Sequence, residues 1–274
     1  MSSPAIYNVM EHWNREFERQ SNLDLYDPGK QFAAVPQKFI KHFRLELFPQ
    51  PFYGYLTEDM TDDVFMPLLN PGPVKEKHVT DLFNGYPYPD AKRLWNEVIR
   101  DRHTRGWSKA EFHERESHYD KVLGPRHWRL KKMNQVKSLI GDAGFLHTIE
   151  FFPFHSDRWK SGYVAREDWF RDLISTQLAI GLMEDISARR LVKHILGIGL
   201  SWAHVLESFP ETFIMEGEPV FLMGQKGKVG HRIFKFKPVH HPDGLPIVIY
   251  SGSSMDLPIH KPEVVERLRA ALEI

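Results

Sequence analysis

Val64-Phe65-Met66-Pro67-Leu68-Leu69, followed at once by Asn70-Pro71-Gly72-Pro73, is the stretch on which the fold turns. A short apolar run closed by strong turn residues reads as a buried strand. Pro67 has no N–H to give a ladder, which predicts an edge or bulged position for this strand. The same pattern recurs along the chain. Residues 145–152 form a second apolar run closed by Pro153, and 192–198 a third, ending in Gly197 and Gly199. Pro246-Ile247-Val248-Ile249-Tyr250 forms the last, ending at Ser251-Gly252-Ser253-Ser254. Residues 219–224 and 231–237 read as strands joined by the glycine-rich turn 224–230.

Helical spacing fills the gaps between these runs. Residues 165–188 carry Trp169, Phe170, Leu173, Ile174 and Leu178 on one stripe. Ser201 is placed to cap a helix over 202–208, and Pro262 to open a terminal helix packed through Val264, Val265, Leu268 and Leu272. Strands alternating with helices predict an α/β fold: three layers, α/β/α, around a mostly parallel sheet of four to five strands. Ahead of it, Ile6, Val9, Met10, Trp13 and Phe17 give residues 5–20 one apolar face, and a short helix follows Pro36 with Phe39, Ile40, Phe43 and Leu47 inward. Residues 1–48 are therefore expected as a helical cap. Residues 49–274 form the main domain, with a charged, His-rich, mostly helical insertion at 84–137 whose first residues, 84–89, read as a loop.

Composition bounds the function. With 42% hydrophobic and 13% aromatic residues the chain can build a sizeable core, and disorder is not expected. No run approaches a membrane span and no signal peptide is visible, so a cytoplasmic protein without a membrane partner is expected. The absence of cysteine removes disulfides, thiolate zinc sites and iron–sulfur clusters. Net charge is zero, yet 126–137 and 226–237 each hold five Lys or Arg and no acid. Either stretch alone reads as a solvated face. Together, with Trp128, Phe234 and Phe236 interleaved, they suggest a phosphate-binding surface that would include Arg126, Arg129, Lys131 and Lys132.

Ligands of parallel α/β sheets bind at the carboxyl ends of strands. Three such ends carry polar groups here: Asn70, Glu150 with His155, and the serines at 251, 253 and 254. Their convergence on one edge is the expected site. Two histidine clusters invite a metal hydrolase instead. His113 and His118 are spaced by five, off a shared helical face, and with 15 histidines in the chain a cluster such as His240-His241 is expected by chance. No metal and no cofactor are expected.

Pro51-Phe52-Tyr53-Gly54 followed by Leu68-Leu69-Asn70-Pro71-Gly72 resembles the first motif of the uracil-DNA-glycosylase-like superfamily, in its thymine- and mismatch-specific branch. Val248 to Ser254 is similar to that branch's second, serine-rich motif, and Glu150 to Ser156 to a segment of phage-defence members. The sequence departs from the family at Leu68, where a glycine is usual, and at the start and end of the second motif.

The resemblance implies a monofunctional DNA glycosylase that hydrolyses the N-glycosidic bond of a flipped base. Asn70 would orient the attacking water, since an amide is no general base at neutral pH. Backbone N–H groups after Asn70, from Gly72 onward, would hold the base oxygen as it becomes anionic, with Pro71 against the base and Phe52, Tyr53 or Phe152 stacked on it. Ser251, Gly252, Ser253, Ser254 and Met255 would enter the DNA, with Met255 or Leu257 as wedge. Glu150 suggests a cytosine-type base: ionised, it accepts from the amino group, and protonated in an apolar pocket it donates to the ring, with His155 a second donor. Resemblance to phage-defence members extends this to a 5-hydroxymethylated or glucosylated cytosine in phage DNA. Each residue also has a plainer reading: Asn70 as a turn residue, the aromatics as core, Glu150 as an ion-pair partner and His155 as a core histidine. The alternatives are a non-catalytic reader of modified DNA on the same fold and a uracil or mismatch repair glycosylase.

Overall fold

The deciding strand is β2, Met60–Leu68, and it lies in the middle of the sheet rather than at an edge. The computed structural model describes residues 4–68, 74–105, 107–123, 128–156, 168–223, 229–252 and 256–274. β2 pairs in parallel with β3, Leu146–Glu150, on one side and with β4, Val192–Ile198, on the other. Pro67 is tolerated there for two reasons. The paired register with β4 ends at Phe65, before the proline, and the proline ring lies over Gly197 of β4, where an added Cβ would stand 3.1 Å from Pro67 Cγ. The glycine opposite it, not an edge position, accommodates the proline.

β8, Ile247–Ser251, pairs in parallel with β4, so β3, β2, β4 and β8 form a parallel centre. Antiparallel strands flank it. β1, Phe52–Tyr53, joins β3, while β7, Val229–Pro238, joins β8 and carries β5, Phe213–Met215, and β6, Val220–Met223. Among the described residues the sheet thus has eight strands: the four of the parallel centre and four antiparallel additions beyond the four to five expected. β1 and β5, of two and three residues, are too short for alternation to reveal.

Successive strand residues divide between two apolar clusters, as a period of two requires. Phe65, Ile149, Ile195 and Ile249 join the larger cluster. It takes in Ile6, Val9, Trp13 and Phe17 of α1, Pro4–Glu18, and Ile180, Met183 and Ile186 of α7, Ile174–Arg189. Phe112, from α5 (Lys109–Leu123), and Trp202, from α8 (Leu200–Glu207), also belong to it. Val64, Met66, Leu196 and Val248 join the second cluster with Val136 and Leu139 of α6, Trp128–Ile140, and Val264 and Leu268 of α9, Pro262–Ala271.

The remaining helices are α2, Gln37–Ile40, α3, Glu76–Leu82, and α4, Tyr88–Arg105, which begins inside the expected 84–89 loop. The helix following Pro36 is a single turn that buries Phe39. The helix expected over 165–188 begins only at Ile174. Asp168–Asp172 is a 3-10 turn, Leu173 is extended, and Ile174 is 37% exposed. Ser201 is inside α8 rather than capping it: the capping position is Gly199, whose φ of 115° suits glycine and whose N–H donates to Tyr250 O at 2.8 Å. Among the described residues no helix is long and apolar enough to cross a membrane.

Candidate functional site at the carboxyl ends of the parallel strands

Because β3, β2, β4 and β8 are parallel, their carboxyl ends share one edge. Glu150 stands opposite Leu68 in the β3–β2 register, and Ile198 opposite Tyr250 in the β4–β8 register. The edge therefore runs from Glu150 past Leu68 and Ile198 to Tyr250. Asn70, Pro71 and Gly72, two to four residues beyond Leu68, lie outside the described residues, as do Ser253, Ser254, Met255 and Arg126. β2 and β8 end at this edge, just before the segments that hold Asn70 and Ser253.

Glu150 is the distinctive group. It is 6% exposed, and its Oε2 has no hydrogen-bond partner among the described residues. Its backbone N–H donates to Pro51 O at 2.8 Å, and the next N–H, of Phe151, donates to Leu68 O at 2.9 Å, so the main chain is fixed on both sides. Burial pushes the carboxyl well above its ordinary range, and among the described residues no cation compensates it. An isolated buried carboxylate is so costly that the neutral acid is the form this environment favours.

His155, five residues on, is 1% exposed, and its carbonyl accepts from Arg44 N at 2.9 Å. The Arg44 side chain meanwhile donates to Val74 O at 2.9 Å, to Tyr88 Oη at 3.0 Å and to Glu46 at 2.6 Å. Arg44 thus ties Val74, four residues after Asn70, to the segment after β3. Nothing in the sequence marks it, because its partners are 30 and 44 residues away.

The aromatic candidates are engaged in packing. Phe152 is 1% exposed, with ring centroids of Phe43 at 4.4 Å and Phe154 at 5.2 Å. Phe52 meets His103 edge-on at 4.7 Å. Tyr53 is half-buried, with the Arg129 guanidinium 4.3 Å from its ring centroid.

The basic stretches find acids that the linear sequence hides. Arg129 pairs with Glu116 of α5. Lys131 and Lys132 hold the two oxygens of Asp256 at 2.6 and 2.8 Å, and Gln135 Oε1 accepts from Leu257 N at 3.2 Å. The hydrogen bonds from Lys131 and Lys132 keep the Asp256 carboxyl far below its usual range. In the second stretch Lys235 meets Glu216 at 2.6 Å and Glu273 at 2.9 Å, and Lys237 reaches the same two. Arg129, Lys131 and Lys132 therefore clasp protein groups. The lysine pair anchors the chain as it leaves the 253–255 segment beyond β8.

A second buried polar group lies toward the amino ends of the strands. His147 Nε2 donates to Asp63 Oδ2 at 2.9 Å, and Tyr55 Oη donates to the same oxygen. Burial lowers the His147 pKa, so the imidazole is neutral there, and its Nδ1 faces Gly54, where a Cβ would come within 2.1 Å. This closed arrangement holds β1, β2 and β3 together. Among the described residues no group of three His, Asp or Glu is placed to hold a metal ion.

Comparison with known proteins finds no family model, no curated protein and no solved structure that matches this chain. Fold and site define an α/β protein with a polar site at the carboxyl edge of four parallel strands.

Proposed function

We propose that the protein is a monofunctional DNA glycosylase with the three-layer α/β/α arrangement of the uracil-DNA-glycosylase-like superfamily, acting on a cytosine-type base. The observation that carries this reading is Glu150: a buried carboxyl, unpaired among the described residues and kept neutral by desolvation, beside the strand that leads into Asn70.

The chemistry follows from the neutral acid. Its O–H donates to a ring nitrogen while its carbonyl oxygen accepts from the exocyclic amino group, a two-point match to the edge of cytosine. As the glycosidic bond breaks, negative charge grows on the base, and a donor in a water-poor site stabilises it more than water would. Asn70 orients the water that attacks C1′; the bond to the base breaks, and the water's proton passes to solvent. A cytosine modified at its fifth carbon, as in phage DNA, is the proposed substrate, and the role is anti-phage defence in the cytoplasm.

The test is incubation with duplex and single-stranded DNA carrying uracil, mismatched thymine, cytosine, 5-hydroxymethylcytosine or its glucosylated form, followed by alkali. Abasic product from a cytosine derivative, lost in Asn70→Ala and Glu150→Gln, is expected. Full activity in Asn70→Ala would refute its role. DNA binding without abasic product on any substrate would replace the enzyme with a reader.

A further inference from the structure

The far end of the same edge holds a chain of three polar side chains. Tyr250, the penultimate residue of β8, is 2% exposed, and its hydroxyl lies 2.6 Å from His231 Nδ1 of β7. The other ring nitrogen, Nε2, lies 2.8 Å from Lys261 Nζ, one residue before α9. An ammonium has only donors, so Lys261 gives its proton to Nε2. The neutral imidazole must then carry its hydrogen on Nδ1 and donate it to the tyrosine oxygen. Burial, with Lys261 beside it, lowers the His231 pKa, in keeping with a neutral ring, and burial pushes the Tyr250 phenol up to about 12, so it keeps its proton. Its own O–H is left pointing away from the histidine, and no other described residue hydrogen-bonds to it.

Where that proton points is set by Gly252. Residues 250 and 252 lie on one face of the strand, and a Cβ on Gly252 would come within 2.3 Å of Tyr250 Oη. The tyrosine therefore leans along β8 toward its carboxyl end, over a space that only glycine leaves free. The buried hydroxyl thus lies at the carboxyl end of β8, on the face of the sheet that Glu150 shares through Leu146, and Glu150 is three strands away, or roughly 14 Å at about 4.8 Å per strand. A nucleoside bridges such a span when long side chains reach in from both ends.

We propose that Lys261, His231 and Tyr250 form a proton-delivery chain that serves the departing base. The inference rests on the glycosylase reading. In the step, the Tyr250 O–H bond breaks as a bond from that hydrogen to an acceptor on the base forms. The His231 Nδ1 proton moves to the phenolate oxygen, a Lys261 proton moves to Nε2, and solvent restores the ammonium. Tyr250 touches the base; His231 and Lys261 act through it as positioning residues. Among the described residues the titratable neighbours of His231 are Lys261 and His260 in the turn before α9, Glu263 in its first turn and Tyr250 on β8; β6 offers none.

The test is single-turnover excision by the full-length protein across pH, on the substrate identified by the base panel, for wild type, Tyr250→Phe, His231→Gln and Lys261→Met. DNA affinity and thermal stability are measured on the same proteins. The chain predicts a rate loss on the order of 100-fold in Tyr250→Phe with DNA affinity retained. It also predicts an alkaline fall in the wild-type rate that disappears in Lys261→Met. Nitrogen NMR of the wild-type imidazole should show Nδ1 protonated and Nε2 bare. An active wild type with an unimpaired Tyr250→Phe overturns the chain and leaves the glycosylase standing, as does a proton found on Nε2. A wild type inert on every base overturns both.

Discussion

Replacing Glu150 with glutamine tests whether the buried acid is neutral, and the test needs no substrate. A carboxyl whose pKa is raised on folding binds its proton more tightly in the native state than in the unfolded one. Its contribution to stability is then fully present below the unfolded pKa, about 4.3. That contribution is lost as pH rises through the window up to the folded value, at about 1.4 kcal/mol per pH unit, because the native state must either keep a proton against the solution or bury a charge. Burial is the cause of the rise at Glu150, and no ion pair among the described residues offsets the loss. Glutamine keeps the shape and has nothing to titrate. Urea denaturation of both proteins at half-unit steps from pH 4.5 to 8 should give curves that diverge. The wild type should fall relative to the variant by roughly 1.4 kcal/mol for each unit above the ordinary carboxylate range, until the folded pKa is reached. The pH at which the divergence stops reads that pKa. Parallel curves across the whole range would show that Glu150 is ionised and paired, and the reasoning about cytosine would go with it.

Three further substitutions probe the frame of the site. Asp256→Asn leaves the buried ammonium of Lys132, 1% exposed, without its carboxylate. Because Asp256 itself is 41% exposed, the expected cost is at the lower end for broken pairs, about 1–3 kcal/mol by urea denaturation; an unchanged midpoint would show that Lys132 finds another partner. Gly54→Ala drives a Cβ into the His147 ring at a φ of 129°, so a loss of about 2–4 kcal/mol in the same assay is expected; an unchanged midpoint would show that the Asp63–His147–Tyr55 group yields readily. Gly252→Ala displaces the Tyr250 hydroxyl, and excision should fall at least as far as in Tyr250→Phe while the thermal midpoint moves by only a few degrees.

The sequence by itself determined the parallel centre of the fold. The runs at 64–69, 145–152, 192–198 and 246–250 are apolar, short and closed by Pro, Gly or Ser, so local chemistry alone marks them as buried strands. Their carboxyl ends were legible too, and with them Glu150 as the odd polar group at the close of an apolar run. Tertiary structure decided what depends on partners distant in the chain. Pro67 lies in a central strand because Gly197 of β4 leaves room for its ring. The lysines at 131 and 132 hold a protein carboxylate, Lys132 from a buried position, because Asp256, 124 residues from Lys132, folds back onto them. The tautomer of His231 is fixed by a lysine 30 residues away. Charge and hydrogen bonding act over a few ångströms in space, and spacing along the chain carries no record of which distant side chains will meet.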